Sequence, residues 1–217
     1  MSDAEAWGWA GLFLLGAYHG VNPAMGWLFA VALGMQEKSG RAVGRALVPI
    51  ALGHGVAIAL VVVLAGLLQI VLPLGYLKLL VAFLLFAFGL YVLIRRRHPR
   101  WGGMQVGFRD LTIWSFLMAT AHGAGFMVLP VLLGMSAGAS AGHAASGPDL
   151  PLSTLGGPLT TALAVVVHTG GYLLVTGVVA WIIYWKLGLA LLRTAWLNLD
   201  LVWAVALMAT GCFTLLL

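Results

Sequence analysis

The chain has 217 residues, of which 62% are hydrophobic and 8% are charged. Soluble domains carry roughly 25% charged residues, so this composition excludes an ordinary soluble domain and predicts an integral membrane protein. The formal net charge is +5, yet binding to nucleic acid needs a soluble basic surface, and a chain this apolar offers none. We therefore expect one membrane domain over residues 1–217 that contacts the lipid bilayer and no nucleic acid.

Six hydrophobic segments are long enough to cross a bilayer, whose core requires about 20 apolar residues per helix. They fall at 7–35, 46–68, 76–94, 111–135, 159–185 and 195–217. Two of the segments contain internal helix breakers, which are Gly20 and Pro23 in the first and Gly123, Gly125 and Pro130 in the fourth. Broken helices are tolerated at membrane depth where they line a cavity or are buried in protein. Both breaks are therefore expected near a functional site.

The basic residues lie almost entirely on one side of the predicted membrane. Ten of the 11 Lys and Arg residues fall in loops 36–45 and 95–110 and in the turn 186–193, whereas Lys78 alone lies on the opposite side. The positive-inside rule then predicts a multi-pass protein of the cell (inner) membrane, with both termini outside. Loop 136–158 is rich in Gly, Ser, Ala and Pro, so we expect it to be flexible and to face outward.

Four of the six histidines lie inside these segments, and they form two matching pairs. His19 and His54 occupy the first and second segments, and His122 and His168 occupy the fourth and fifth. Lipid offers a polar side chain no water, so an ionisable residue in a membrane segment marks a functional-site hypothesis. The matched order predicts a duplicated three-helix unit with a polar site between its copies.

The duplication also predicts the fold. The two copies would cover about 7–94 and about 111–217. In their third helices, the spacing of eleven positions from Lys78 to Gly89 recurs from Asp200 to Gly211. Three crossings is an odd number, so the second copy is inserted upside down. We therefore predict an all-α fold of six transmembrane helices arranged as two inverted three-helix repeats, a pattern found in many secondary transporters.

The first break carries several groups that suit a metal ion. The stretch reads His19-Gly20-Val21-Asn22-Pro23-Ala24-Met25. Imidazole binds borderline transition metals, and His19 and Asn22 would share a face of an unbroken helix. Pro23 removes a backbone hydrogen bond, so we expect carbonyls near Tyr18 and His19 to face a cavity.

This stretch, together with the Gly-His pair at 53–54, resembles the NicO-type nickel/cobalt efflux proteins and related transporters of the LysE-like superfamily. Their first-helix motif reads roughly His-x-x-Asp/Glu-Pro-x-His. His19 and Pro23 match it, whereas Asn22 and Met25 stand where an acid and a second histidine are expected. The resemblance covers about the first 60 residues and implies transport of a transition-metal cation. Loss of the carboxylate and gain of a thioether favour softer ions, Cu(I) among them.

The leading hypothesis is a secondary transporter of a transition-metal cation, and we predict that the protein is not an enzyme. The predicted metal site consists of His19, Asn22, His54, His122 and His168, with Met25 and Met127 as candidate additional ligands. Asp200 is a candidate for proton coupling, which is natural here because a histidine must be neutral to hold a metal. No nucleotide-binding motif is present, and we expect no permanently bound cofactor.

Three alternatives remain open at this stage. The four histidines would also serve as axial ligands of haem b in an electron-transfer protein, with the neighbouring glycines leaving space for the macrocycle. A metal-dependent membrane enzyme would use the same imidazoles but lacks an intramembrane carboxylate suited to general-base work. The small size also permits a homo-oligomer, or a membrane subunit that works with partner subunits.

Overall fold

The computed structural model describes residues 3–68, 73–95, 107–140, 157–187 and 199–216. Throughout these ranges the regular structure is helical, which confirms the predicted all-α class. The helices are α1 (Asp3–Val21), α2 (Trp27–Gln36), α3 (Gly40–Leu68), α4 (Leu74–Arg95), α5 (Phe108–Ala121), α6 (Ala124–Ser140), α7 (Gly157–Ile182) and α8 (Leu199–Leu216). A 3₁₀ turn (Pro23–Met25) joins α1 to α2, and a π-helical turn (Ile183–Leu187) extends α7.

Two predicted loops are shorter than the composition indicated. The predicted loop 36–45 is reduced to a turn, because α3 begins at Gly40 and includes the exposed Arg41 and Arg45 in its first turns. Residues 136–140, predicted as the start of a flexible loop, continue α6. Helical hydrogen bonding thus extends past the apolar stretches at both places. Residues 157–158, predicted as the end of that loop, begin α7. Residues 141–156 lie outside the described residues.

The first and fourth apolar segments are each broken where a predicted breaker lies. In the first, Pro23 begins the 3₁₀ turn, and Gly26 follows with φ 142°, a conformation that favours glycine. In the fourth, α5 ends at Ala121 with His122 as its C-cap, Gly123 has φ 68°, and the axes of the two flanking helices differ by 59°. Pro130, also predicted to break this segment, lies inside α6.

The described helices include two that are long and apolar enough to cross a membrane, Gly40–Leu68 and Gly157–Lys186. A third crossing is present if the bent pair Phe108–Ala121 and Ala124–Met135 counts as one broken span. Trp27–Gln36 and Gly75–Tyr91 are shorter apolar helices. The protein therefore has the character of a helical membrane protein.

Glycines allow the helices to pack in three close pairs, α1 with α7, α3 with α5, and α4 with α8. A Cβ atom added to Gly16 would lie 1.9 Å from the backbone oxygen of His168, and one added to Gly53 would lie 2.2 Å from that of Thr112. Backbones approach this closely only where a residue lacks a side chain, as at many helix contacts in membrane proteins.

The same contacts give the relative direction of two of these pairs. Along α1, Gly16 faces His168 and Tyr172, and Gly20 faces Tyr172 and Thr176, so α1 and α7 run parallel. Gly89 of α4 faces Ala204, Leu207 and Met208 of α8, whereas Gly211 of α8 faces Ala82, Leu85 and Phe86 of α4. Residue numbers thus rise along one helix as they fall along the other, and α4 and α8 run antiparallel.

Candidate functional site: a buried histidine cluster

Three imidazole rings meet in the interior, one each from α1, α3 and α7. His19, His54 and His168 are all 0% exposed. The ring centroids are 5.0 Å apart for His19 and His168, 5.6 Å for His54 and His168, and 5.8 Å for His19 and His54. We refer to these three residues as the histidine cluster.

Close packing of α1 on α7 brings two of the rings together. The contact at Gly16, one turn before His19, places the α1 backbone against the backbone of His168 itself. Gly171, one turn after His168, lies equally close to the backbone of Phe13 on α1. His19 lies in the last turn of α1, immediately before the first break. The cluster therefore forms where the first apolar segment is interrupted.

The fourth predicted histidine, His122, lies at the second break and is 5% exposed. Its Nδ1 atom is 2.8 Å from the backbone oxygen of Met118, and Nδ1 of His19 is likewise 2.8 Å from that of Leu15. A carbonyl only accepts hydrogen bonds, so each Nδ1 carries the proton. His122 is also close enough to His19 for the two imidazoles to interact electrostatically.

The ring nitrogens of His54 and His168 have no hydrogen-bond partner among the described residues. The backbone of Leu12 approaches the His168 ring without forming a well-aligned hydrogen bond. A buried polar group left in this state costs about 1–3 kcal/mol, and most such groups in native proteins are satisfied. The arrangement therefore lowers stability unless another species meets these nitrogens.

The spacing of the rings suits a single ion, although their orientation does not yet do so. Metal–nitrogen bonds to histidine are about 2.0–2.1 Å long, which places three rings around one tetrahedral ion with centroids about 5.2 Å apart. The observed separations run from 5.0 to 5.8 Å. Among the described residues, however, no group of three or more His, Cys, Asp or Glu side chains is arranged to hold a metal ion. The rings would have to turn to bind one.

Carbonyls at the first break already accept hydrogen bonds, and the expectation that this break frees carbonyls near Tyr18 and His19 is wrong for His19. The carbonyl of His19 accepts from the amide of Asn22 at 3.3 Å. The carbonyls of Val21 and Ala24 accept from indole nitrogens, at 3.0 Å from Trp27 and 3.4 Å from Trp114.

The other predicted ligands lie at or near the two breaks. Asn22 is 6% exposed, and its side-chain oxygen accepts from the amide of Ala24 at 3.0 Å, which caps the 3₁₀ turn. Met25 and Met127 are fully buried, and Met127 lines a cleft of about 440 Å³ between α1, α6 and α8. Asp200 lies at the start of α8, but its side chain lies outside the described residues.

Tyr172 belongs to the site but was not among the residues predicted from the sequence. It is the largest fully buried side chain in the described chain, and its ring lies flat against His54, with centroids 3.9 Å apart and planes inclined by 15°. Its hydroxyl donates a hydrogen bond to the carbonyl of Met25. Its position four residues after His168 on α7 was the available signal, because residues at i and i+4 share a helix face.

The chain matches no protein-family model, no curated protein and no solved structure. Its resemblance to NicO-type proteins therefore depends on residues 19–25 and 53–54 alone.

Proposed function

We propose that this protein is a secondary transporter of a transition-metal cation, which binds at the histidine cluster between two inverted three-helix repeats. The observation that carries the proposal is the burial of His19, His54 and His168 together, with ring nitrogens of His54 and His168 that lack a hydrogen-bond partner in the described chain. A cation that binds these nitrogens would offset the cost of burying them. A site that has to reorganise in order to bind suits a carrier.

The contacts between α4 and α8 support the repeat. Adding the difference in residue number between Gly89 and Gly211 to each contact of Gly211 gives the contacts of Gly89. These contacts are Ala204, Leu207 and Met208 for Gly89, and Ala82, Leu85 and Phe86 for Gly211. Such reciprocal contact is what a two-fold axis between the third helix of one repeat and the third helix of the next would produce.

The remaining helix pairs support the same symmetry. The first segment pairs with the fifth through α1 and α7, and the second pairs with the fourth through α3 and α5. Exchanging the two repeats converts one of these pairs into the other. His19 and His122, which the exchange would relate, each lie at a break, with Nδ1 bonded to the carbonyl four residues earlier. The antiparallel third helices agree with an inverted second copy.

The packing supports an ion rather than haem b as the species bound. The glycines beside the histidines were expected to leave space for a macrocycle. The space at Gly16 and Gly171, where α1 meets α7, is instead taken by the facing backbone, since an added Cβ would lie 1.9 Å and 2.2 Å from it, whereas no atom lies within 4 Å of a Cβ added at Gly170. A haem would have to separate α1 from α7, whereas a single ion needs only the rings to turn. The donors present are imidazole nitrogens, which suit Ni²⁺, Co²⁺, Zn²⁺ and copper.

We expect the purified protein to bind about one transition-metal ion per chain and to show no Soret absorption band. The test is equilibrium dialysis against Ni²⁺, Co²⁺, Zn²⁺ and Cu(I), followed by uptake into proteoliposomes and an absorption spectrum of the same sample. Absence of binding and transport for all four ions would refute the proposal. A Soret band would instead favour the haem interpretation.

The proposed six crossings place both termini outside the cytoplasm in the cell (inner) membrane. We expect a reporter that is active only in the cytoplasm to be inactive when fused after Leu217, and active when inserted at Lys38, in the turn between α2 and α3. Measuring both fusions in the same cells controls for expression. The reverse pattern would contradict the proposed orientation. Equal activity at both positions would contradict the proposed five crossings between them, because an odd number of crossings puts the two positions on opposite sides of the membrane.

A further inference from the structure

Tyr172 contacts both the histidine cluster and the break in the first span. Its ring stacks on the ring of His54, with centroids 3.9 Å apart. Its hydroxyl donates to the carbonyl of Met25, the last residue of the 3₁₀ turn. The hydroxyl oxygen lies on the axis of rotation about the Cβ–Cγ bond, so it stays in place when the ring turns about that bond. It moves with the ring when rotation about the Cα–Cβ bond displaces the whole side chain.

At the break, the Tyr172 hydroxyl forms a hydrogen bond with a backbone carbonyl that the amides of α2 do not bind. The first amides of α2 to find backbone partners, those of Phe29 and Ala30, bond to the carbonyl of Gly26 at 3.0 and 3.1 Å. The carbonyl of Met25 accepts from Tyr172 instead. Gly26 has φ 142°, and a Cβ added there would lie 3.2 Å from the Tyr172 hydroxyl. The hydroxyl is therefore fitted closely to the point where the chain changes direction.

On the side of the cluster, the orientation of His54 depends on Tyr172. The rings of the histidine cluster have a spacing that suits one ion, but their side chains are not arranged to hold it. Binding therefore requires ring rotation. Rings stacked 3.9 Å apart and inclined by 15° are in contact over their faces. His54 cannot turn far without displacing the Tyr172 ring, and that displacement moves the hydroxyl away from Met25.

We propose that Tyr172 is a positioning residue that couples cation binding at His54 to opening of the break at residues 22–26. This inference rests on the proposed function. In the ion-free state Tyr172 holds the Met25 carbonyl and keeps α1 and α2 in their present relation. Rotation of His54 onto a cation displaces the ring, releases the carbonyl and lets the first span bend at the break. The break then opens only when the site is loaded.

Hydrogen–deuterium exchange of residues 22–30, in lipid nanodiscs with and without Ni²⁺ or Cu(I), tests the coupling. The ion used is whichever of the two wild type binds more tightly. In wild type we expect the ion to raise the exchange rate of these amides roughly 2- to 10-fold, the effect of losing one hydrogen bond. In Tyr172→Phe, which keeps the ring but not the hydroxyl, the rate should already be raised without the ion and should not rise further.

Thr214→Val is the matched control, because it also removes a buried hydroxyl that donates to a helix carbonyl. That bond, 2.8 Å long, joins Thr214 to Thr210 within α8, away from the first break. We expect this variant to respond to the ion as wild type does.

Transport measurements separate the two halves of the Tyr172 side chain. Tyr172→Phe should keep KM within about 2-fold of wild type and change kcat, because the stacked ring is retained. Tyr172→Leu, which lacks the ring, should raise KM as well. Without the ion, exchange at residues 22–30 that is the same in Tyr172→Phe and wild type would overturn the inference. If wild type binds and transports the ion but its exchange rate does not change, the inference is overturned and the proposed function stands. If wild type binds no ion, both the inference and the proposed function are overturned.

Discussion

Replacing either His54 or His168 with leucine is expected to abolish cation transport while leaving the protein at least nearly as stable as wild type. Loss of an outer-shell partner at a metal site typically costs 10- to 100-fold, so loss of a direct ligand should lower the transport rate by more than about 100-fold. Stability should respond differently. Both rings are 0% exposed, and their nitrogens lack partners among the described residues. Replacing such a group with an apolar one of similar size is nearly neutral or stabilising.

The opposite signs of these two effects distinguish a functional histidine from a structural one. A histidine that joined two helices by hydrogen bonds would lower stability when replaced. Thermal unfolding in detergent and uptake into proteoliposomes, measured on the same preparations, provide the comparison. His98→Leu is the control, because His98 lies outside the predicted membrane segments and should leave both measurements unchanged. Normal uptake by both cluster variants would place the site elsewhere, and a loss of several kcal/mol would identify the rings as structural.

The apolar segments and the histidines within them predicted a large part of the architecture. Segment length indicates where helices form, and it located every described helix to within several residues. The breaks at Pro23 and Gly123 follow from backbone chemistry, since proline lacks an amide proton and glycine tolerates positive φ. The ordered positions of four histidines, His122 among them, gave reason to expect a shared site, and three of the four rings meet in the histidine cluster.

Other parts of the site could not be predicted because they depend on residues far apart in the chain. The carbonyls at the first break are satisfied by Trp114 and Tyr172, which lie 90 and 147 positions from the residues they contact. No local pattern marks an indole or a phenol for that task, and tryptophans near span ends are typical interface anchors. The carbonyl of His19, in contrast, is satisfied locally by the amide of Asn22. Pro130 was predicted to break the fourth segment, but α6 continues through this proline without a break.

Alanine at Gly171 is expected to destabilise the protein strongly, whereas alanine at the adjacent Gly170 is not. A Cβ atom at Gly171 would lie 2.2 Å from the backbone oxygen of Phe13 and 3.1 Å from the amide nitrogen of Ala17. Both atoms belong to the backbone of α1, so a side-chain rotation cannot relieve the overlap, and α1 has to move away from α7. Overpacking of this kind costs typically 1–3 kcal/mol and occasionally more.

Gly170 supplies the control within the same helix turn, since no atom lies within 4 Å of a Cβ added there. Alanine is favoured over glycine in a helix interior by roughly 0.5–1 kcal/mol, so Gly170→Ala should unfold at the same or a higher temperature than wild type. The two neighbouring variants should therefore differ in unfolding free energy by about 2–4 kcal/mol. Moving α1 away from α7 also separates His19 from His168, whose rings are 5.0 Å apart. Cation affinity should then fall in Gly171→Ala alone, and equal stability and affinity in both variants would contradict the close α1–α7 contact on which the cluster depends.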